Sequence, residues 1–301
     1  MSEIAAIDCG TNSIKLLIGD LPTISVRESR MVRLGQGVDE TGCLAEEALA
    51  RTFAAVDEYA ALIRAHGVDR VRFCATSATR DARNAAVFTT GVRQRLGVTP
   101  EVLSGDEEAA LVFAGATRTL SDQLEPPVLV VDIGGGSTEL VVGADGPDIG
   151  TSLDIGAVRL HERHLHDDPP TRRQISACLA DVDRHLDGGP VVLGDARSVV
   201  GTSGTIKTLA AALLGLPSYD RDAIDGAVLA SAETRDYVDR LVAMTVAERR
   251  AIASMHPGRA DVIGAGALIW SRVLAGTGVE HYRVSEADIL YGIAWSLVGE
   301  P

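Results

Sequence analysis

The sequence predicts an α/β fold made of two homologous domains that face each other across a cleft. Two observations predict the duplication: an apolar strand–turn–strand segment occurs twice, and so does a strand–turn–helix segment, at nearly the same offset. The alternation of strand-like and helical segments predicts mixed sheets covered by helices. We expect the domains to span residues 1–120 and 121–301, joined by the polar, proline-bearing linker Ser121–Pro127.

The first repeat is a pair of apolar strands joined by a tight turn that an aspartate opens. It covers residues 4–19 and 129–143, and 124 residues separate Asp8 from Asp132. Each copy predicts a β-hairpin whose turn aims backbone N–H groups at one point, which is typical of an anion-binding nest. The leading aspartates offer carboxylate oxygens, the ligands that Mg²⁺ prefers. The phosphate-binding candidates are Gly10, Thr11, Asn12, Ser13, Gly134, Gly135, Gly136 and Ser137.

The second repeat is a strand that ends in a turn of small residues and leads into a helix. It covers Ala75–Thr79 and, 126 residues later, Gly201–Thr205. A helix N-terminus binds anions through free N–H groups, although Ser203 or Thr205 could equally be an ordinary N-cap. The helices expected to follow are Ala82–Leu96 and Ile206–Leu214. The phosphate-binding candidates of the second copy are Gly201, Thr202, Ser203, Gly204 and Lys207.

The remaining segments complete the α/β pattern. Apolar residues at steps of three and four predict an amphipathic helix over Glu46–His66, closed by Gly67. A strand at Glu101–Leu103 leads into a helix from Asp106. The C-terminal part is predicted to hold helices at Ala232–Met244, Val246–Met255, Asp261–Leu274 and Glu286–Val298 and a strand at His281–Val284.

Three consecutive acids, Asp106, Glu107 and Glu108, open the helix from Asp106. Acids in a first helical turn complement the helix dipole, which is one explanation for them. The other is that one of them is a general base that deprotonates an attacking water, its pKa raised by its acidic neighbours. Composition alone does not separate these two readings.

The charge balance argues against nucleic acid as the partner. The chain has 28 Lys and Arg against 42 Asp and Glu, a net charge of −14, and nucleic-acid-binding proteins present a basic surface. A phosphate substrate then needs locally concentrated cations, of which we expect about half to reach the cleft. The candidates are Lys15, Arg30, Arg33, Arg80, Arg83 and Lys207.

Other features predict a cytoplasmic location and exclude several chemistries. The chain shows neither a signal-peptide pattern nor an apolar run of membrane-spanning length, and its four scattered cysteines fit buried thiols in a reducing compartment. There is no G-x-x-x-x-G-K phosphate loop and no G-x-S-x-G nucleophile elbow. The histidines His161, His164 and His166 have spacings that do not put three metal ligands on one helix face.

Several segments, in this order, resemble the exopolyphosphatase/guanosine pentaphosphate phosphohydrolase family. The resemblance covers nearly the whole chain and implies the actin-like (ribonuclease H-like) duplicated fold shared by sugar kinases, heat-shock ATPases and actin. The segments that carry it are Ile7–Ser13, Arg33–Gly37, Ala75–Asn84, Leu103–Ala109, Val131–Glu139 and Gly201–Thr205.

The resemblance assigns roles to matching positions. It implies that Glu108 is the catalytic base and that Asp132 and Glu139 hold the metal and order the water. Asp8, which leads the first turn, is a further candidate metal ligand. It also implies that Asn12 and Ser13, with Arg80 across the cleft, grip the phosphoryl group. The catalytic set is therefore Glu108, Arg80 and Glu139, and the cofactor is Mg²⁺, or Mn²⁺ in its place.

The chain departs from the family in two places. Ile289–Gly292 replaces a Leu-Arg-Glu-Gly run in the last helix, which predicts that the charged contact there is lost. The chain also stops near residue 300, without the extra C-terminal helical domain of longer members. Less surface for tracking a polymer favours short-chain polyphosphate.

The sequence therefore predicts a Mg²⁺-dependent exopolyphosphatase that acts on inorganic polyphosphate. Three alternatives stay open: a phosphohydrolase of guanosine penta- or tetraphosphate, an ATP-dependent small-molecule kinase of the same superfamily, and a non-catalytic sensor of polyphosphate or alarmone. We expect no membrane partner. A homodimer is expected because related proteins are often dimers; the apolar segments Val262–Ile269 and Ile289–Leu297 are either its contact face or core.

Overall fold

The computed structural model describes residues 3–298, which form two mixed β-sheets. The strands are β1 Ile4–Cys9, β2 Ser13–Asp20, β3 Thr23–Met31, β4 Arg70–Ala75, β5 Glu101–Val102, β6 Val128–Ile133, β7 Thr138–Gly143, β8 Pro147–Leu153, β9 Ser198–Thr202, β10 Val228–Ala230 and β11 His281–Val284. The first sheet has the order β3-β2-β1-β4-β5 and the second β10-β11-β9-β6-β7-β8.

The second sheet repeats the plan of the first. Strands β8, β7, β6, β9 and β11 take the places of β3, β2, β1, β4 and β5, with three antiparallel strands followed by parallel ones in both sheets. The hairpin registers pair Asp8 with Lys15 and Asp132 with Glu139. The predicted α/β duplication is confirmed, with β10 as an additional edge strand.

Helices cover both sheets. They are α1 Val38–Thr41, α2 Glu46–Ala65, α3 Ser77–Asp81, α4 Ala85–Leu96, α5 Gly105–Thr117, α6 Ala157–His164, α7 Arg172–Gly188, α8 Ser203–Leu213, α9 Arg221–Ile224, α10 Ser231–Ala243, α11 Val246–Arg250, α12 Ile263–Thr277 and α13 Ile289–Val298, with 3₁₀ turns at Ser121–Gln123 and Leu193–Asp195. Gly67 follows α2 with a positive φ of 64°, as predicted for a terminating glycine.

Several predicted bounds were wrong. The helix predicted over Val246–Met255 ends at Arg250, ahead of Pro257 and Gly258, which do not continue a helix. The last helix begins at Ile289 rather than Glu286, because the Asp288 carboxylate caps it by accepting a hydrogen bond from the Leu290 N–H at 3.2 Å. Strands β3 and β8 and helix α7 were not predicted.

Two helices cross between the halves of the chain. Helix α5 follows the strands of the first sheet but packs on β7 and β8 of the second, whereas α13, at the end of the chain, packs on β1. The two helices also pack against each other, and their apolar residues form one core with both sheets. The boundary at residue 120 stays a prediction, because each half contributes a helix to the other's sheet.

The apolar C-terminal segments lie largely in the core. Ile263, Ile269, Ile289 and Leu290 are all buried within the single chain. None of the helices between residues 3 and 298 has the length and apolar character needed to cross a bilayer. All four cysteines are free thiols, three of them buried.

Candidate active site

The two hairpin turns have the same internal geometry. The Gly10 N–H donates to the Ser13 carbonyl at 3.0 Å, and the Gly134 N–H donates to the Ser137 carbonyl at 3.0 Å. Both turns line one cleft between the sheets, which we call the central cleft. Its predicted lining residues are Asp8, Gly10, Thr11, Asn12, Ser13, Glu108, Asp132, Gly134, Gly135, Ser137, Glu139, Ser203 and Gly204.

The turns touch each other, and this contact requires glycine. A Cβ on Gly135 would lie 2.9 Å from the Thr11 Cβ, and one on Gly136 would lie 2.6 Å from the hydroxyls of Thr11 and Ser77. Those hydroxyls are themselves hydrogen-bonded at 3.0 Å. The glycines of the second turn thus let the two halves approach closely enough for both to contact one small anion.

Four buried carboxylates surround the same space. Asp8, Glu108, Asp132 and Glu139 are each at most 6% exposed, and all four line the central cleft. The two aspartates are the penultimate residues of β1 and β6, and Glu139 lies opposite Asp132 on β7. Acidic residues are rarely buried so fully unless they are paired or functional.

The three acids that open α5 have different surroundings. Ser104 caps the helix in a capping box, in which Glu107 Oε2 accepts from the Ser104 N–H at 2.9 Å. Glu107 is therefore exposed and structural, whereas Glu108, one residue on, points inward and is 5% exposed. An Arg80 guanidinium nitrogen lies 2.9 Å from Glu108 Oε2 and donates to the Leu103 carbonyl at the same distance.

Burial and mutual repulsion raise the pKa values of these acids. Desolvation raises the pKa of Glu108 to about 7, with the charges of Asp8 and Asp132 adding to the effect and Arg80 opposing it. Desolvation likewise raises the pKa of Asp132 to about 6, although Lys15 opposes it. The pKa of Glu139 is raised by burial and then by Glu108 and Asp132. Such perturbed values in a cleft are typical of functional sites.

The turn of the second repeat lies at one wall of the cleft. Ser203 begins α8 with a left-handed φ of 70°, and its hydroxyl donates to the Ile133 carbonyl at 2.8 Å. A non-glycine residue in this region is strained, which is common at ligand-binding turns. Ser77 occupies the corresponding place in the first repeat and lines the opposite wall.

Five predicted residues do not line the central cleft directly. Arg80 contacts Glu108, which does line the cleft, and Gly136 and Gly201 are packed against neighbouring side chains. The Thr202 hydroxyl is hydrogen-bonded to the Ser285 and Ala287 carbonyls. Lys207 Nζ lies 3.1 Å from an Asp288 carboxylate oxygen and lines an adjoining cavity that shares Lys15, Gly204 and Arg259 with the cleft.

Fewer of the predicted cations reach the cleft than expected. Lys15 lines it and Arg80 contacts Glu108. Arg30 pairs with surface glutamates, Arg33 pairs with Asp261, and Arg83 donates to the Thr41 carbonyl.

Sequence reasoning missed one residue that lines the cleft and one that lies behind it. Arg259 lines it and forms no salt bridge within residues 3–298; a guanidinium nitrogen lies 3.3 Å from the Thr208 hydroxyl. Asp288 is fully buried and pairs with Lys15 at 3.0 Å. The loss of a charged contact within Ile289–Gly292 stays a prediction, since Asp288 lies just ahead of that run. The Pro257-Gly258-Arg259 turn was the available signal for the arginine.

The residues present fit a hard divalent cation. The predicted ligands Asp8, Asp132 and Glu139 share the cleft, although residues 3–298 hold no ready-made group of three or more His, Cys, Asp or Glu ligands. Mg²⁺ commonly uses one or two carboxylates and takes its other ligands from water and substrate phosphates. A divalent cation would compensate the negative charge of these buried carboxylates, whose mutual repulsion contributes to their raised pKa values.

Two duplicated sheets that face a cleft of glycine turns and buried acids define the actin-like class of α/β proteins. Within that class, the chain belongs to the Ppx/GppA phosphatase family, whose sequence profile matches residues 15–298.

Relatives and solved structures agree with this family. The chain is 44% identical to exopolyphosphatase 2 of Mycobacterium tuberculosis, over 99% of both chains. A crystal structure of an exopolyphosphatase-like protein superposes with a TM-score of 0.94 at 46% identity, over 97% of each chain. An exopolyphosphatase from Cytophaga hutchinsonii superposes with a TM-score of 0.89 at 28% identity, over 100% of this chain and 99% of that one.

Proposed function

We propose that this chain is an exopolyphosphatase that releases terminal orthophosphate from inorganic polyphosphate. The observation that carries the proposal is the position of Glu108, a buried carboxylate with a pKa of about 7 in a cleft lined by both glycine turns. The family and the exopolyphosphatase relatives support the same reaction.

Glu108 acts as the general base. Arg80 holds its Oε2 at 2.9 Å, so that the other carboxylate oxygen takes the proton from the attacking water. A pKa near neutrality suits this role, because the base is ionised at working pH and still has affinity for a proton.

The turns hold the terminal phosphate. Backbone N–H groups of residues 11–13 and 135–137, with the Ser13 and Ser137 hydroxyls, grip the phosphoryl oxygens from both sides of the cleft. Mg²⁺, or Mn²⁺, held by Asp8, Asp132 and Glu139 would neutralise negative charge on those oxygens when bound.

The deciding experiment measures phosphate release from short and long polyphosphates and from guanosine pentaphosphate, with Mg²⁺ and with a chelator. We expect metal-dependent release from polyphosphate, fastest with short chains. Faster release from guanosine pentaphosphate would replace the proposed substrate. Binding without release from any of them would favour a sensor.

The activity should depend on pH through Glu108. Burial raises the pKa of this carboxylate to about 7, so the base is lost as pH falls through that value. We expect kcat/KM for polyphosphate to drop about tenfold for each pH unit below 7, measured from pH 5 to 9. The residual activity of Glu108→Gln should lack this limb; a wild-type profile flat from pH 5 to 8 would contradict the assignment.

Two further parts of the proposal concern the protein's setting. We place it in the cytoplasm, which the four free thiols support. We also propose a homodimer, whose contact face lies outside the buried C-terminal helices. Light scattering of the purified chain tests the second part, and a monomer at working concentration would remove it.

A further inference from the structure

A row of alternating charges runs from the central cleft to the edge of β3. Lys15 Nζ lies 3.1 Å from Asp8 Oδ2 and 3.0 Å from Asp288 Oδ2, so it joins the first hairpin to the start of α13. Three acids and three bases balance along the row. Its members, in spatial order, are Asp8, Lys15, Asp288, Lys207, Glu286 and Arg27.

Asp288 is the centre of this row. The same carboxylate oxygen that meets Lys15 accepts from Lys207 Nζ at 3.1 Å, while its other oxygen caps α13. Lys207 also donates to the Glu286 carbonyl at 3.1 Å, and Arg27 pairs with the Glu286 carboxylate at 2.7 Å. Burial alone would raise the pKa of Asp288. The charges of Lys15 and Lys207 outweigh this effect and hold the pKa well below its usual range.

The surroundings fix Asp288 in place. Its side chain is fully buried. Its backbone carbonyl lies so close to Gly115 of α5 that a Cβ there would be 2.2 Å away. A carboxylate tied to a helix cap and to a tight helix–helix contact is a rigid anchor for the flexible lysines that it meets.

The two lysines have different surroundings. Both contact one oxygen of Asp288 and both line a cavity that adjoins the central cleft, but Lys15 also lines the cleft itself. In the duplicated fold, Lys15 occupies the register position that Glu139 occupies in the second hairpin. The first turn therefore presents a cation beside its aspartate where the second presents another acid.

We propose that Asp288 is a positioning residue that holds the Lys15 ammonium beside Asp8 to meet a phosphate oxygen. This inference rests on the proposed function of the cleft. The inference also gives the altered last helix a role. The charged group that serves the site is the Asp288 carboxylate at the N-terminus of this helix, rather than a residue within the helix.

A double-mutant cycle on polyphosphate hydrolysis tests the inference. We expect Asp288→Asn to lower kcat/KM about 10-fold and Lys15→Met about 10- to 100-fold, the range for hydrogen bonds to charged groups. Because Asp288 acts through Lys15, the double variant should be no slower than Lys15→Met alone. Additive losses, as a merely structural role would give, or full activity of Asp288→Asn, would overturn the proposal.

Controls separate folding from positioning. Asp183→Asn, which removes an aspartate from an exposed pair with Arg272, should keep wild-type kcat/KM. If Asp288→Asn does not fold, adding Lys207→Met restores the charge balance of the row, and the cycle is repeated on that background.

If the wild type releases no phosphate, the proposed function fails by itself. The cycle is then measured on the Kd for short-chain polyphosphate. We again expect the double variant to be no weaker than Lys15→Met alone, and additive losses of affinity would overturn the proposal.

Discussion

Glu108→Gln is expected to lower kcat for phosphate release from polyphosphate by about 10²- to 10⁴-fold, the usual loss when a general base is removed. The amide keeps the size of the side chain and its hydrogen-bonding oxygen for Arg80, but it cannot accept the water's proton. KM should rise little, since the turns that grip phosphate are untouched. Steady-state kinetics with Mg²⁺ and short-chain polyphosphate give both constants.

Glu107→Gln is the matched control for this variant. Glu107 is the same residue type in the same helical turn, but it is exposed and serves the capping box with Ser104. Glutamine also fits a capping box, so we expect wild-type kcat and a loss of stability below about 1 kcal/mol. Equal losses in the two variants, or full activity of Glu108→Gln, would remove Glu108 from the mechanism.

Gly292→Ala is expected to destabilise the fold by about 3 kcal/mol or more, since overpacking forces the backbone to move. Gly292 lies in α13, where a Cβ would be 2.0 Å from the Leu111 carbonyl oxygen of α5. A main-chain atom of a packed helix cannot yield as the end of a side chain can. The expected result is a lower Tm and denaturant midpoint by circular dichroism, with phosphate release lost in parallel.

Gly188→Ala is the corresponding control. Gly188 is the last residue of α7, and a Cβ there would meet nothing within 4 Å. Replacing a helical glycine in open space changes stability by at most about 1 kcal/mol, in the stabilising direction. A Gly292→Ala protein as stable as this control would show that the contact between α5 and α13 is looser than the structure indicates.

The repeat made much of the site predictable. Because the 124-residue offset aligns Asp8 with Asp132, the sequence alone indicated two matching turns, and pairing of equivalent strands brings such turns to one edge of each sheet. The role of Glu108 came from the resemblance to the family, since three adjacent acids look alike in sequence. In the structure, the capping box of Glu107 and the burial of Glu108 beside Arg80 distinguish the two glutamates.

Other features depended on contacts between distant segments. Lys207 was predicted to bind phosphate because it follows a glycine turn, and its pairing with Asp288, 81 residues further on, was not foreseen. Arg259 and Asp288 reach the cleft region from turns that carry no repeat and no periodic pattern. Nothing local in the sequence indicates which partner a long, flexible cation will meet.

The sequence by itself determined the α/β class, the duplication, the two glycine turns and most of the residues that line the central cleft, because strand periodicity and turn chemistry are local properties. The tertiary structure decided the exchange of α5 and α13 between the sheets, the burial of Glu108 beside Arg80, and the row of charges behind Lys15. Those features arise from packing and from electrostatics between residues far apart in the chain, which depend on distances that only the folded molecule defines.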